Sequence, residues 1–549
     1  MVNKPTRSML AIVAAVATAA LLALLGLVHV TDFQRHVTTR LAHHRSLQAL
    51  ETSPSLQLLF HAKRDTLAIH GHGDFAVLVQ PTASQSAFAF NGMATFVEGE
   101  TTHTYKLVDS VAYYIQSSTK ATTAVVLPAS TLPPIHELLA AIASATPIDT
   151  VETTQTIDCP TNAALFHTQF NNMDFFMCRI SSDEVSGVRI FGEDFDVEIR
   201  SSPLHLEITK PTSLTALPLA AADDIVPPST RRMTTVSLLL TTLAQATKDA
   251  MATSKERTRR LEAATCGCKS TPRPCIFFHG MDVKADGGLV DKYAAFGDIQ
   301  KHAPCCSSVK FAVLNTVDYG WTNATLVDKA CAYALSMSPT SDTASGTIEN
   351  TIVVSHSMGN LLLAHAEVSG KCKLGASSSW VALSGPFKGS MGSDFQQNLC
   401  EGNYFGKELV AAVVKLFGQC PQSRARQTLY YEGGNFSSPL LNAQYEAAQL
   451  VHEKRVTAGV CGSTFNGLPS GDWLGLVLGG SILPHKSKEN DGVVELQSCI
   501  GRLPATKFAE HWSSSFYRGK LNHADMTFKN GDSWFDDAQK PVKWFECLP

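Results

Sequence analysis

No basic excess runs through this chain. Its formal charge over 549 residues is −4, so no sequence-wide field exists to draw in a nucleic-acid polyanion. Charge of either sign is scarce at 17%, while apolar residues make up 44%, which excludes bulk disorder and allows a sizeable core. Zinc-spaced cysteine is missing too. Of fourteen cysteines, Cys266-Gly267-Cys268 and Cys305-Cys306 come nearest to a ligand pattern, and neither makes a repeated CxxC pair.

What is there begins with a long apolar run. Lys4 and Arg7 precede Met9 to Val28, which is broken only by Thr18 and Gly26. As a helix it would just cross a hydrocarbon core of about 30 Å. A signal peptide has a shorter apolar region, about 7–15 residues, and Val28-His29-Val30 is a poor cleavage site. The expectation is an uncleaved signal anchor over residues 9–28, with the membrane as partner and the bulk of the chain facing the secretory lumen or the extracellular side. A cleaved, secreted chain is the alternative. An even number of cysteines behind such a segment reads as disulfides, and Cys159 and Cys178 can pair within the first half. Asn323-Ala324-Thr325 and Asn435-Phe436-Ser437 are glycosylation sequons that suit the same compartment.

Residues 31 to about 46 read as a basic stalk, and residues 47–211 as a β-rich accessory domain. Runs such as Thr66–Ile69, Phe75–Val79, Thr104–Leu107, Val111–Ile115 and Met173–Ile180 are β-prone and separated by turn residues, so an antiparallel sheet is expected. No chemical constellation lies in it. Residues 212–264 read as a Pro/Ala-rich linker followed by a helix over Met233–Ala264. From Pro274 the texture changes. Cys275–Phe278, Phe311–Leu314, Ile352–Val354 and Trp380–Leu383 are short apolar runs without alternation, as in strands buried on both faces. Helix-like stretches lie between them, at Leu289–His302, Leu326–Met337 and Asn360–Val368, which predicts an α/β domain with a mostly parallel sheet.

Candidate chemistry sits in that second half. In Ser355-His356-Ser357-Met358-Gly359, Ser357 stands where a buried strand meets a helix, with small residues two before and two after it. A nucleophile on a sharp strand-to-helix turn needs that spacing, and the helix N-terminus offers N–H groups to a developing oxyanion. Phe277-Phe278-His279-Gly280-Met281 ends an earlier strand, so the backbone N–H groups of Met281 and Met358 are the candidate oxyanion donors. For the acid, Asp491 in Asn490-Asp491-Gly492 competes with Asp394; for the base, His523 in Asn522-His523-Ala524-Asp525 competes with His511.

Over residues 270–530 these four motifs and their order resemble secreted triacylglycerol lipases of the calcium-containing bacterial type. The resemblance implies an α/β-hydrolase fold over residues 270–549, a Ser357–His523–Asp491 triad, and a structural calcium at Asp525. Ser355 replaces the family's usual glycine. No redox or organic cofactor is implied. The long stretch after Gly385 reads as a cap insertion over residues 386–482, with apolar Leu409–Phe417 and Leu474–Leu478 as lid candidates. The expected function is serine-dependent cleavage of carboxylic esters, lipid esters foremost. An acyltransferase or deacylase using the same triad, and a non-catalytic binding protein, are the rivals. Oligomeric state is not legible.

Overall fold

The computed structural model describes most of residues 34–548; residues 1–33, 213–244, 246–257 and 403–419, with shorter breaks elsewhere, lie outside the described residues. The apolar run 9–28, most of the helix expected over Met233–Ala264, and the lid candidate Leu409–Phe417 therefore fall outside them. Among the described residues no helix is long and apolar enough to cross a membrane.

Eleven strands form the first sheet: β1 (Ser55–Ala62), β2 (Asp74–Pro81), β3 (Phe90–Glu98), β4 (Thr101–Val108), β5 (Val111–Ser117), β6 (Thr122–Leu127), β7 (Thr146–Ile148), β8 (Leu165–Phe170), β9 (Met173–Ser181), β10 (Ser186–Phe191) and β11 (Phe195–Ser202). Their order is β6-β5-β4-β3-β2-β1-β11-β10-β9-β8-β7, and neighbours run antiparallel. One face packs under α1 (Ile135–Ala143), whose Leu138 and Ile142 are fully buried, and under the helical residues 34–45 and 47–50. These helical residues correct the stalk reading. His43 stacks on Phe166 at 4.5 Å, and Leu47 and Leu50 join the sheet's core.

The second sheet has seven strands: β12 (Arg273–Phe278), β13 (Gly288–Val290), β14 (Cys306–Val313), β15 (Ile352–His356), β16 (Ser379–Leu383), β17 (Val456–Gly462) and β18 (Phe516–Gly519), in the order β13-β14-β12-β15-β16-β17-β18. It is mixed: β13 pairs antiparallel with β14 at one edge, and the other pairs are parallel. The expected class, an α/β-hydrolase fold with a mostly parallel sheet, is thereby corrected. The chain is mostly β, its largest sheet is antiparallel, and its second sheet is mixed. The antiparallel sheet is expected from the β-prone runs of residues 47–211, but its size is not, and the doubly buried strands after Pro274 carry no sign of the antiparallel edge strand β13.

Several local readings change for identifiable reasons. Leu289–His302, expected as a helix, holds edge strand β13 and two single 3₁₀ turns. Thr258–Leu261, expected to be helical, is a strand parallel to Thr150–Thr153. Residues 386–482 are not one insertion. They contain β17, whose small residues (Val-Thr-Ala-Gly-Val-Cys-Gly) hide a buried strand, and α5 (Pro439–Arg455), which packs on α3 (Met358–Val368). Helix α2 (Ala324–Ser336) flanks the same layer, capped by Asn323 Oδ1, which accepts the Leu326 N–H at 3.2 Å. The first sequon asparagine is thus a helix cap, whereas Asn435 is exposed.

Seven disulfides join all fourteen cysteines, among them Cys159–Cys178 and Cys266–Cys547. So many bridges mark a chain that matures in an oxidising, extracytosolic compartment.

The two sheets are fastened by the C-terminal segment. Trp534 and Phe535 insert into the core of the first sheet, with the Trp534 ring 4.8 Å from Phe195 and 5.1 Å from Phe75. Trp534 Nε1 donates to the Leu67 carbonyl at 2.7 Å. Around this plug lies a buried ionic network: Arg64 with Glu546 at 2.5 Å, and Asp194 with Lys540 at 2.9 Å and Lys543 at 3.1 Å. Burial alone would raise the Asp194 carboxyl, but Lys540 and Lys543 outweigh it and hold its pKa below the ordinary value. Its contribution is therefore complete above the unfolded carboxylate range and is lost as pH falls through the lower folded value. Breaking one partner of a buried pair costs about 3–5 kcal/mol, an exposed pair under about 1 kcal/mol. Asp194→Ala is accordingly expected to lower the melting temperature strongly at pH 7 under non-reducing conditions. Asp291→Ala, which breaks the exposed pair with Lys310, should leave it within a degree or two.

Candidate active site

Strand β15 is buried throughout and delivers Ser357 to the first position before α3. Ser357 takes φ 53° and ψ −128°, a conformation costly for a residue with a Cβ. The turn is held from both sides. Ser357 N–H donates to the Leu383 carbonyl at 2.9 Å, and Asn360 N–H donates to the Ser357 carbonyl at 3.0 Å. The Asn360 amide adds bonds to the Ser357 and Leu383 carbonyls at 3.1 and 3.0 Å.

Close approach explains the small residues. A Cβ on Gly359 would stand 2.8 Å from the His279 carbonyl oxygen, and one on Gly280 would stand 2.7 Å from Ser357 Cβ. Ser355, where the resembled family has glycine, is fully buried and employed. Its hydroxyl donates to Asn360 Oδ1 at 2.7 Å and accepts from Trp380 Nε1 at 2.7 Å. That network sets the asparagine that holds the turn.

Three residues singled out in the sequence come together here. Ser357 Oγ lies 3.0 Å from His523 Nε2, and His523 Nδ1 lies 2.8 Å from Asp491 Oδ2. Asp491 is almost wholly buried, and its other oxygen accepts the N–H groups of Val493 and Val494 at 3.0 and 2.7 Å. Burial would raise its pKa, but His523 and the hydrogen bonds of His523, Ser384 and Val494 outweigh it and hold the carboxyl below the ordinary range. The carboxylate therefore stays charged at neutral pH.

The rivals lie elsewhere. Asp394 sits on α4 (Met391–Cys400), where Oδ2 accepts the Tyr431 N–H at 2.7 Å, and burial pushes its pKa up to about 6. His511 bonds to Ser513 at 2.8 Å and faces Asp537 at 3.4 Å.

The turn after β12 runs beside Ser357. His279 is fixed in one tautomer: Nδ1–H donates to the Gly280 carbonyl at 2.7 Å, and Nε2 accepts the Leu314 N–H at 3.0 Å. Burial lowers its pKa, so the ring is neutral. It ties the ends of β12 and β14 and presents Gly280 to Ser357. Met281 follows directly. Its N–H takes no part in the described turn and loop bonds, and Met358 N–H, first in α3, has no intrahelical acceptor.

Two neighbours escaped the sequence reading. Ser384 follows β16 with φ 46°; its hydroxyl donates to Asp491 Oδ2 and lies 3.0 Å from His523 Nδ1. Nothing in Leu383-Ser384-Gly385-Pro386 flags it beyond its place at a strand end. His356 donates from Nε2 to the His523 carbonyl at 3.1 Å, bracing the loop that carries that histidine. Burial, then the nearby His523, keeps the His356 ring neutral.

Asp525 does not fit a calcium ion. It is fully buried, and Oδ2 accepts the N–H groups of Leu468 and Asn522 at 2.8 and 3.0 Å, while Oδ1 accepts the Asn530 amide at 2.9 Å. N–H donors turned toward a carboxylate present positive charge where a cation would have to sit. Its work is to clasp the loop that carries His523.

The second lid candidate is also recast. Helix α6 (Trp473–Ile482) packs Trp473 and Val477 into a core with Tyr114, Val125 and Leu127 of the first sheet. Its backbone lies over the Asp491 loop, where a Cβ on Gly492 would stand 2.8 Å from the Leu476 carbonyl.

Gly280→Ala is expected to slow modification of Ser357 by a serine-directed organophosphorus reagent about a hundredfold, the cost of a roughly 1 Å misplacement. Gly471→Ala, where an added Cβ meets nothing within 4 Å, should leave the rate unchanged.

No family model and no curated protein matches the chain. Among solved structures it is similar in part to LprF from Mycobacterium bovis, at 10% identity and a TM-score of 0.22, over 32% of this chain and 96% of LprF. It is also similar in part to a lipase-esterase related protein from Clostridium acetobutylicum, at 14% identity and a TM-score of 0.20, over 36% of this chain and 76% of that one. Likenesses this loose carry no weight for fold or activity, and the site stands on its own geometry.

Proposed function

We propose that the chain is a serine hydrolase that cleaves carboxylic esters, with lipid esters as its substrate class. One observation carries the reading: the unbroken relay from Ser357 Oγ through both nitrogens of His523 to the buried Asp491. A serine hydroxyl is a weak nucleophile until a base takes its proton, and the base needs a partner that fixes its tautomer.

His523 Nε2 accepts the Ser357 proton as Oγ attacks the ester carbonyl carbon. The oxyanion is met by the N–H groups of Met281 and Met358. The imidazolium, stabilised by Asp491, protonates the departing alcohol and leaves an acyl-enzyme. Water, deprotonated by His523, then attacks the acyl carbon, and the acid departs with Ser357 restored. Ser384 and His356 hold the acid and the base in register. No step calls for a cofactor. The lipid preference rests on the resemblance of the four motifs to secreted lipases.

A panel of esters of increasing acyl length, run on wild type beside Ser357→Ala, tests both parts. At least about a thousandfold loss of turnover is expected in the variant. Turnover should favour long-chain glycerides over short soluble esters. An active wild type that ignores glycerides of every length would end the lipid assignment and leave the esterase one. Transfer of the acyl group to an added alcohol in preference to water would make the enzyme an acyltransferase.

A further inference from the structure

Three side chains with metal-binding atoms meet at the end of the β3–β4 hairpin, apart from the Ser357 site. His103 stands opposite Phe96 and Glu98 opposite Thr101, so Glu98 and His103 are diagonal neighbours on one face. His70 reaches the same point from the turn closed by the Ile69–His72 bridge, where it holds φ 49°. Its Nδ1 is 2.9 Å from Glu98 Oε2, and His103 Nε2 is 3.4 Å from that same oxygen. Ligands about 2.0–2.1 Å from a tetrahedral zinc ion lie about 3.3 Å from one another. The three atoms here all fall within 4.8 Å, and among the described residues no other such grouping occurs.

The far side of each imidazole is held as well. His70 Nε2 is 2.9 Å from the Tyr105 hydroxyl, and His103 Nδ1 is 2.7 Å from the Tyr114 hydroxyl. A tyrosine hydroxyl both donates and accepts. Each ring can therefore give its N–H to Glu98, or pass it to the tyrosine and turn a lone pair toward an ion. Outer partners of this kind orient metal-ligating histidines.

Access favours an ion over a merely structural cluster. The His70 and His103 side chains are 1% and 2% exposed, but that of Glu98 is 54% exposed. His70 and Glu98 border a cavity of about 410 Å³ at the seam of the two sheets, whose lining also includes His302, Ser470 and Lys529. We propose that His70 Nδ1, His103 Nε2 and Glu98 Oε2 bind a divalent transition ion of the zinc type, with a further coordination position open to the seam cavity. The rings stack 3.8 Å apart at 12°. An ion lies in the plane of each ring that binds it, so uptake tilts the two rings out of parallel.

Tag-free full-length protein, stripped by chelator without reductant, is titrated with Zn²⁺ against a chromophoric competitor. One tightly held equivalent is expected. Glu98→Gln and His103→Ala should each weaken it at least tenfold, with circular dichroism and melting reporting the fold. Co²⁺ should give a visible absorption band that the variants lose. Should His103→Ala fail to fold, His70→Asn decides, because asparagine tolerates the left-handed turn. Absence of a stoichiometric equivalent, or uptake unchanged by His70→Asn and Glu98→Gln, would overturn the proposal.

Discussion

The backbone of Ser357 is the constraint on which the second half of the molecule turns. At φ 53° it leaves a buried strand and enters a helix within one residue. Such a turn costs on the order of 1–3 kcal/mol and persists only where its surroundings over-determine it. Here they do. Leu383 and Asn360 bind the turn's own N–H and carbonyl, Ser355 and Trp380 fix Asn360, and Gly280 and Gly359 let two backbones approach within contact of it. The result is a hydroxyl held at a helix N-terminus, where partial positive charge and unpaired N–H groups lie close by.

The second requirement is a charged carboxylate in a buried place. Asp491 meets it by filling its acceptor positions with His523, Ser384 and two backbone N–H groups. The Asp491 loop lies under α6, and α6 is seated on the first sheet through Trp473 and Tyr114, whose rings meet edge to face at 5.8 Å. The C-terminal plug at Trp534 and the buried ions around Asp194 fasten the same two sheets. The antiparallel sheet is thus part of the frame that shapes the Asp491 loop, not a detachable stalk.

Much of the site was legible because its chemistry is local. A small residue on each side of Ser357, a His-Gly turn after an earlier strand, and Asn-Asp-Gly and Asn-His motifs all sit within short windows. What stayed hidden depends on long-range packing. Ser384 has no local mark, and it reaches Asp491 across 107 residues of sequence. Strand β17 is made of small residues and falls within the expected cap insertion over residues 386–482 until its neighbours β16 and β18 are in place. The apolar α6 looks the same whether it is a lid or a core helix, since its partner lies in another sheet. The class differs because the first sheet, legible as antiparallel, reaches eleven strands and outweighs the second, and because the short edge strand β13 leaves no mark in the doubly buried runs. Asp525 was read from its motif, but the N–H donors around it were invisible until the loops met.

The most direct measurement is to treat the folded, oxidised protein with a fluorophosphonate and map the adduct by mass spectrometry. A single adduct on Ser357 is predicted, lost in Ser357→Ala and slowed when His523 is replaced by alanine. Failure of the folded protein to label, or an adduct on another residue that persists in Ser357→Ala, would contradict the account.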